Sequence, residues 1–286
     1  MISDMTLGQF FPGNSLIHRL DPRTKLILAL IYMITVFVAA NPASFVALLA
    51  VTLVLVLVSR ISLKVILKGV KPLIFILIFT SLINVFMTKG DGDPLFSYKF
   101  ISIYEEGIIR AVFMSLRVCL LIIGTSVLLT YTTSPISLTD GIESLLSPLK
   151  RIGVPVHSFA MMMSIALRFI PTLVEETEKI MNAQKSRGAD FSSGGLIKRS
   201  KALIPLLVPL FVSAFKRADE LATAMECRCY RGDKNRTKLV KLTMRASDVI
   251  AIVLLVVFMA AIITARILPD NISVNSGIFA LFFYKI

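Results

Sequence analysis

The sequence predicts an all-α fold: a polytopic membrane protein of about five transmembrane helices, with a coupling region of two to three long, kinked amphipathic helices. Three observations carry that expectation. The chain of 286 residues is 56% hydrophobic and only 17% charged, with mean hydropathy +0.80, whereas a soluble domain is roughly 45–50% apolar. Its apolar residues fall in long runs separated by Pro, Gly, Asn or charge. Its net charge of +13 is concentrated in particular loops, the pattern that positive-inside orientation produces and not one that calls for nucleic acid.

The chain divides into residues 1–134, an N-terminal interfacial segment with transmembrane helices 1–4; 135–246, a cytoplasmic and interfacial coupling region; and 247–286, a last transmembrane helix and tail. Residues 1–25 mix Phe10 and Phe11 with His18, Arg19, Asp21, Arg23 and Lys25, which suits the bilayer interface. No short apolar core with a small-residue cleavage site precedes the first span, so that span is expected to act as an uncleaved signal. Residues 26–40 and 43–58 are apolar, and Asn41-Pro42 between them marks the turn of a transmembrane hairpin. A basic interfacial stretch follows, with Arg60, Lys64, Lys68 and Lys71. Residues 72–87 form the third span, 88–106 a loop leaning acidic, and 108–130 the fourth span. Arg117 lies inside that fourth span and is expected to face protein or to snorkel, because an unpaired arginine at membrane depth is costly.

The loops set the orientation. The 19–25 end, the 60–71 loop and the region after Ser134 are basic, so the N-terminus and the coupling region are both expected in the cytoplasm. Four crossings make those two statements agree. The stretch 140–245 holds about 18 Lys and Arg against about 10 Asp and Glu. Within it, residues 141–152 read as a short amphipathic helix ended by Gly153 and Pro155. Residues 156–187 are apolar to Leu173 and then charged. A Ser192-Ser193-Gly194-Gly195 linker leads to a second long helix, 196–228, whose apolar middle at 202–215 is short for a span. Pro171, Pro205 and Pro209 are expected to kink these helices. Residues 247–267 are the fifth span, followed by a short, nearly uncharged tail.

Several chemistries are excluded or disfavoured. No Gly-x4-Gly-Lys-Ser/Thr loop is present to cradle ATP. His18 and His157 are the only histidines, so a His-Glu-x-x-His zinc site cannot form. Glu175-Glu176 is similar to the paired glutamates of some intramembrane proteases, but position 180 is Ile where that chemistry wants Arg; a solvated helix face is the expectation. Cys119, Cys227 and Cys229 do not make a disulfide framework, and Cys227-x-Cys229 lacks partners at metal-ligand spacing. A self-sufficient secondary transporter would need membrane-embedded acidic ion sites or inverted repeats. An intramembrane enzyme would need a nucleophile or metal set within the spans. Neither set is visible.

The distinctive features are the ends of the two long helices. One reads Ala183-Gln184-Lys185-Ser186-Arg187-Gly188, the other Ala224-Met225-Glu226-Cys227-Arg228-Cys229. Each places Ala and Arg four residues apart on one helix face. A cation closing a helix C-terminus is favourable with the macrodipole by itself. Two such ends in one basic region suit insertion into acidic grooves of partners, because the guanidinium fork pairs two ways with carboxylates. The missing glycine at 229 leaves room for the second helix to run on toward Gly232.

Together with Gly13-Asn14-Ser15, His18-Arg19-Leu20-Asp21-Pro22-Arg23-Thr24-Lys25 and Arg168-Phe169-Ile170-Pro171, these ends make the chain resemble the transmembrane T component of energy-coupling factor (ECF) transporters, bacterial importers of vitamins and metal ions. The resemblance covers nearly the whole chain. In that family both ends are usually Ala-Arg-Gly; here the arginines match, while Ser186, Cys227 and Cys229 depart. The resemblance implies a non-catalytic subunit of the bacterial cell membrane. Two cytoplasmic ABC-type ATPases, which themselves bind ATP and Mg, would each take one arginine, with Ser186, Arg187 and Gly188 at one docking tip and Cys227, Arg228 and Cys229 at the other. A separate S component would bind the micronutrient and contact Met161, Met162, Met163, Pro205 and Pro209. The T component would hold no cofactor, metal or substrate of its own.

Overall fold

The computed structural model describes residues 10–88, 96–98, 101–189, 191, 195–230, 232 and 242–267. The acidic residues at 91 and 93, the 192–194 part of the linker and the tail after 267 lie outside them. Nine α-helices follow in chain order among the described residues: α1 Pro22–Val38, α2 Pro42–Ser59, α3 Leu63–Val70, α4 Ile74–Met87, α5 Glu105–Thr125, α6 Pro135–Leu146, α7 Val156–Ser186, α8 Leu196–Cys227 and α9 Ala246–Ile267. A short 3-10 turn at Lys71–Leu73 joins α3 to α4, and a five-residue π-helical stretch, Ser126–Thr130, continues α5. The 88–106 segment, expected as a loop, contains a two-stranded antiparallel hairpin, β1 Phe96–Tyr98 and β2 Ile101–Ile103, with Ser97 opposite Ser102.

Five helical stretches are long and apolar enough to cross a bilayer: Pro42–Ser59, Leu63–Met87, Glu105–Thr130, Val156–Ser186 and Ala246–Ile267. Four contain spans expected from the sequence. The remaining expected span, residues 26–40, falls on α1, whose 17 residues lie at the lower end of the length that crosses a bilayer. α7 is also long and apolar enough, through its apolar first half.

The chain forms two compact units. One takes its residues from Gln9–Ser134 and Leu242–Ile286, the other from Pro135–Lys241. In the first unit α1 packs against α5 and α9, and α4 against α5. Its core joins Leu28, Tyr32 and Val36 of α1 to Phe45 and Leu48 of α2, Leu120 of α5 and Ile262 of α9. Tyr32 is fully buried; its hydroxyl donates to the Leu120 carbonyl at 2.9 Å and lies 2.8 Å from Thr52 Oγ1. Gly124 lets this ring reach α5, since a Cβ there would overlap Tyr32.

The 18–25 motif is a bracket of this unit. Asp21 caps α1 by accepting the Arg23 N–H at 2.9 Å, and Pro22 starts the helix where no donor is needed. The Asp21 N–H donates to Asp248 Oδ1 of α9 at 2.8 Å. Lys25, 2% exposed, donates from Nζ to the Thr132 and His18 carbonyls at 2.8 and 3.2 Å. Ser15 Oγ accepts the His18 backbone N–H at 3.3 Å and lies 2.6 Å from His18 Nδ1.

Arg117 faces protein. It donates to the Ala39 carbonyl at 2.7 Å and lies over the Phe45 ring at 5.4 Å. Arg266 donates to the neighbouring Val38 carbonyl at 3.2 Å. Both guanidiniums thus satisfy carbonyls that the end of α1 leaves without helical donors.

Candidate functional site: two arginine-capped helix ends

In the second unit α6 packs on α7, and α7 on α8. Gly153, at φ +87°, ends the 3-10 turn after α6, and Pro155 precedes α7. His157 Nδ1 and Glu143 Oε1, 2.9 Å apart, link α7 to α6. α7 has 31 residues and α8 has 32, and each runs uninterrupted through its internal prolines. Pro205 and Pro209 sit four residues apart on one face of α8. Each lacks the N–H that would bond the carbonyl one turn back, so the first third of α8 is weakly tied along that face.

Arg187 is the C-cap of α7, and Arg228 is the C-cap of α8. Their backbones are nearly superposable, at φ −88°, ψ 8° and φ −91°, ψ 14°. The hydrogen bonds match as well. Two residues beyond each arginine, an N–H returns to the carbonyl three residues before it: Ala189 to Gln184 and Tyr230 to Met225, both 3.0 Å. One residue beyond, Gly188 bonds Lys185 at 2.9 Å and Cys229 bonds Glu226 at 2.8 Å. These are Schellman caps, which require a left-handed residue just after the C-cap. Gly188 supplies it at φ +87° and Cys229 at φ +56°.

α8 therefore ends beside the expected position 228, and the room to run on toward Gly232 is not used: the helix stops at Cys227 despite the missing glycine. Cys229 takes the left-handed conformation anyway, at a steric cost of about 1–2 kcal/mol for a residue with a Cβ. Satisfying the last carbonyls of α8 outweighs that cost.

Both arginines are exposed, and among the described residues neither guanidinium has a hydrogen-bond or ion-pair partner. Ser186, Gly188, Cys227 and Cys229 are exposed around them, and both cysteines are free thiols. Of the apolar candidates, Met162 and Met163 are 54% and 52% exposed, Met161 is half-buried, and Pro205 and Pro209 are exposed. The methionines lie roughly 35 Å along α7 from Arg187, and Pro205 a similar distance along α8 from Arg228. Each helix therefore carries a cationic tip at one end and an apolar surface at the other. On α8 that surface is a stripe of Leu203, Leu207, Phe211 and Phe215, each 47–73% exposed.

Three features linking α7 to α8 were not anticipated. Glu176 is half-buried and pairs with Arg217 across the helices at 2.7 Å, while Ser213 donates to its other oxygen. The expectation of a solvated face holds for Glu175, which is exposed, but not for Glu176. Beside the pair runs an apolar groove of about 250 Å³, lined by Ile165, Phe169 and Leu173 of α7 and by Ala214, Leu221 and Met225 of α8. Ala214, Ala218 and Ala222 form a small-residue row at four-residue spacing on its α8 wall. That row was the available sequence signal for a helix–helix seam. Of the Arg168-Phe169-Ile170-Pro171 stretch, only Phe169 lines the groove; Arg168 and Pro171 are exposed. Among the described residues, no three His, Cys, Asp or Glu gather as a metal site.

Comparison with known proteins places this geometry in context. A family model described as cobalt transport protein, CbiQ, matches residues 13–239. Curated relatives named energy-coupling factor transporter transmembrane protein EcfT are similar over almost their whole length. The Ruminiclostridium cellulolyticum protein is 56% identical, covering 92% of this chain and 97% of its own. The Clostridium kluyveri protein is 52% identical, covering 93% and 98%. The Bacillus subtilis protein is 50% identical, covering 93% and 100%.

Proposed function

The chain belongs to the EcfT (CbiQ-type) family of energy-coupling factor transporter transmembrane proteins, and on that premise we propose that Arg187 and Arg228 each dock a separate cytoplasmic ABC-type ATPase. As the transmembrane T component of an ECF transporter, the chain is a multi-pass membrane protein that works within a larger transport complex. One observation carries the docking reading. Two helix ends distant in sequence are built to the same backbone geometry, and each presents an exposed guanidinium without a partner among the described residues. A rigid cap limits the entropy lost when an arginine enters an acidic groove, and the guanidinium fork pairs bidentately there.

The rest of the reading follows from the lever shape. The apolar stretches at Met161–Met163 and around Pro205 and Pro209 meet a separate micronutrient-binding S component at the membrane interface. Methionine suits a surface that repacks as its partner moves. The apolar stretch of α8, 202–215, is broken by Pro205 and Pro209 and too short to span, which favours an interfacial position for α8. ATP binding draws the two ATPases together, the tips follow, and the α7–α8 seam transmits the movement to the S component. ATP and Mg sit in the ATPases, and this chain is non-catalytic and takes no cofactor. The N-terminus and the coupling region face the cytoplasm, where the basic loops are retained.

The test is charge reversal with the whole complex coexpressed. Arg187→Glu and Arg228→Glu each weaken retention of one ATPase, and the double variant loses both along with ATP-dependent uptake. A double variant that copurifies both ATPases at wild-type ratio overturns the docking role.

A further inference from the structure

The two tips share a backbone but differ in one chemical respect. Around Arg187 stand Ser186 and Gly188; around Arg228 stand Cys227 and Cys229, both exposed free thiols. Cys229 moreover occupies a left-handed position, φ +56°, that glycine fills without strain at the other tip. The fold thus holds a thiol where its absence would relieve the backbone. We infer that Cys227 and Cys229 are a reversible S-thiolation site, and that a carboxylate-bearing thiol adduct there releases the α8 tip from its ATPase while leaving the α7 tip docked. This rests on the docking reading above and adds to it a regulation of one tip only.

The chemistry is disulfide exchange. A cysteine thiolate attacks one sulfur of a small-molecule disulfide RS–SR; the S–S bond breaks, and Cys–S–SR forms. The displaced RS− takes up the proton that the cysteine released. The cysteine sulfur is oxidised, and half of the small disulfide is reduced to RSH. A reducing thiol reverses the step. The Arg228 guanidinium, one residue from either sulfur, attracts an anionic disulfide to the site. Once attached, the adduct's carboxylates are within reach of the same guanidinium and satisfy its fork from within the chain, while the adduct's bulk fills the surface that would enter the groove. Ser186 and Gly188 cannot undergo this reaction. Cys119, half-buried within the α5 span, serves as the internal control.

Docking and thiolation occupy one surface, so each weakens the other by the same factor. That reciprocity supplies the test. Purified full-length chain in detergent is treated with oxidised glutathione, adducts are mapped by mass spectrometry, and rebinding of the two ATPases is measured before and after dithiothreitol. The expected result is adducts at Cys227 or Cys229 and not at Cys119, loss of one of two bound ATPases, and recovery on reduction. Prebound ATPases lower the adduct yield. Cys227→Ser/Cys229→Ser, compared with its own untreated sample, shows no response to the reagent. Absence of adducts at 227 and 229, adducts with unchanged rebinding, or a yield indifferent to bound ATPases overturns the inference. If untreated Arg228→Glu still binds both ATPases, it is the docking reading that fails.

Discussion

Asp248 holds Asp21 across 227 positions of sequence: its Oδ1 accepts the Asp21 backbone N–H at 2.8 Å, while its Oδ2 accepts the Arg245 N–H at 2.7 Å. The carboxylate is 1% exposed and ties the start of α9 to the start of α1. A buried carboxylate is tolerable only when donors surround it. Asp248→Ala leaves those N–H groups without their acceptor, at a cost of about 2–4 kcal/mol. The thermal midpoint of the purified chain falls accordingly, and Asp248→Asn, which keeps one acceptor oxygen, lies between the two. An unchanged midpoint for Asp248→Ala would show the bracket to be dispensable.

Gly124 is predicted to be the least replaceable glycine of the membrane unit. A methyl group there overlaps the Tyr32 ring, which is fully buried and cannot swing out without breaking its bond to Leu120. Gly124→Ala forces α1 away from α5, an overpacking effect of about 1–3 kcal/mol or more. Folded yield in size-exclusion profiles measures it. Tyr32→Phe in the Gly124→Ala background gives little relief, because the clash involves ring carbons as well as the hydroxyl.

At the second tip, Cys229→Gly relieves the left-handed strain and stabilises the last turn of α8 by about 1 kcal/mol. Hydrogen exchange of the Cys229 and Tyr230 amides, which close the cap onto Glu226 and Met225, slows in the variant. Cys229→Val, β-branched at the same position, speeds it. Equal rates in all three chains would mean that the cap does not depend on this residue.

The Glu176–Arg217 pair joins the two levers where both side chains are partly exposed, at 22% and 33%. Its coupling is accordingly about 1 kcal/mol or less by double-mutant cycle. Its functional weight is predicted to exceed that figure, because in the proposed coupling it holds the seam that makes α7 and α8 move together. Glu176→Gln and Arg217→Gln each lower ATP-driven uptake while leaving ATPase copurification intact, and the double variant is no worse than either. Additive losses would show that the two side chains act apart.

How much of this was legible in the sequence depended on the range of the interaction. Asn41-Pro42 marks the start of α2, because a proline at the first helical turn is a local signal. The arginine ends were legible for the same reason, as caps depend on a few adjacent residues. The purpose of Lys25 and of Asp248 was not legible: they are explained by the Thr132 carbonyl and by the Asp21 backbone N–H, and no periodicity connects positions so far apart. Glu176 was read as solvated because its helix face is charged in sequence, whereas Arg217 on another helix shields it. The end of α8, expected at 228, was legible too; it holds without a glycine at 229 because glycine preference is a bias of about 1 kcal/mol, which the unmet carbonyls of the last turn override.

The most direct measurement is a cryo-electron microscopy structure of the assembled transporter at side-chain resolution. The account predicts the guanidiniums of Arg187 and Arg228 in acidic grooves of two different ATPase subunits, with the Schellman caps behind them unchanged. Either arginine facing lipid, or both buried within this polypeptide, would contradict it.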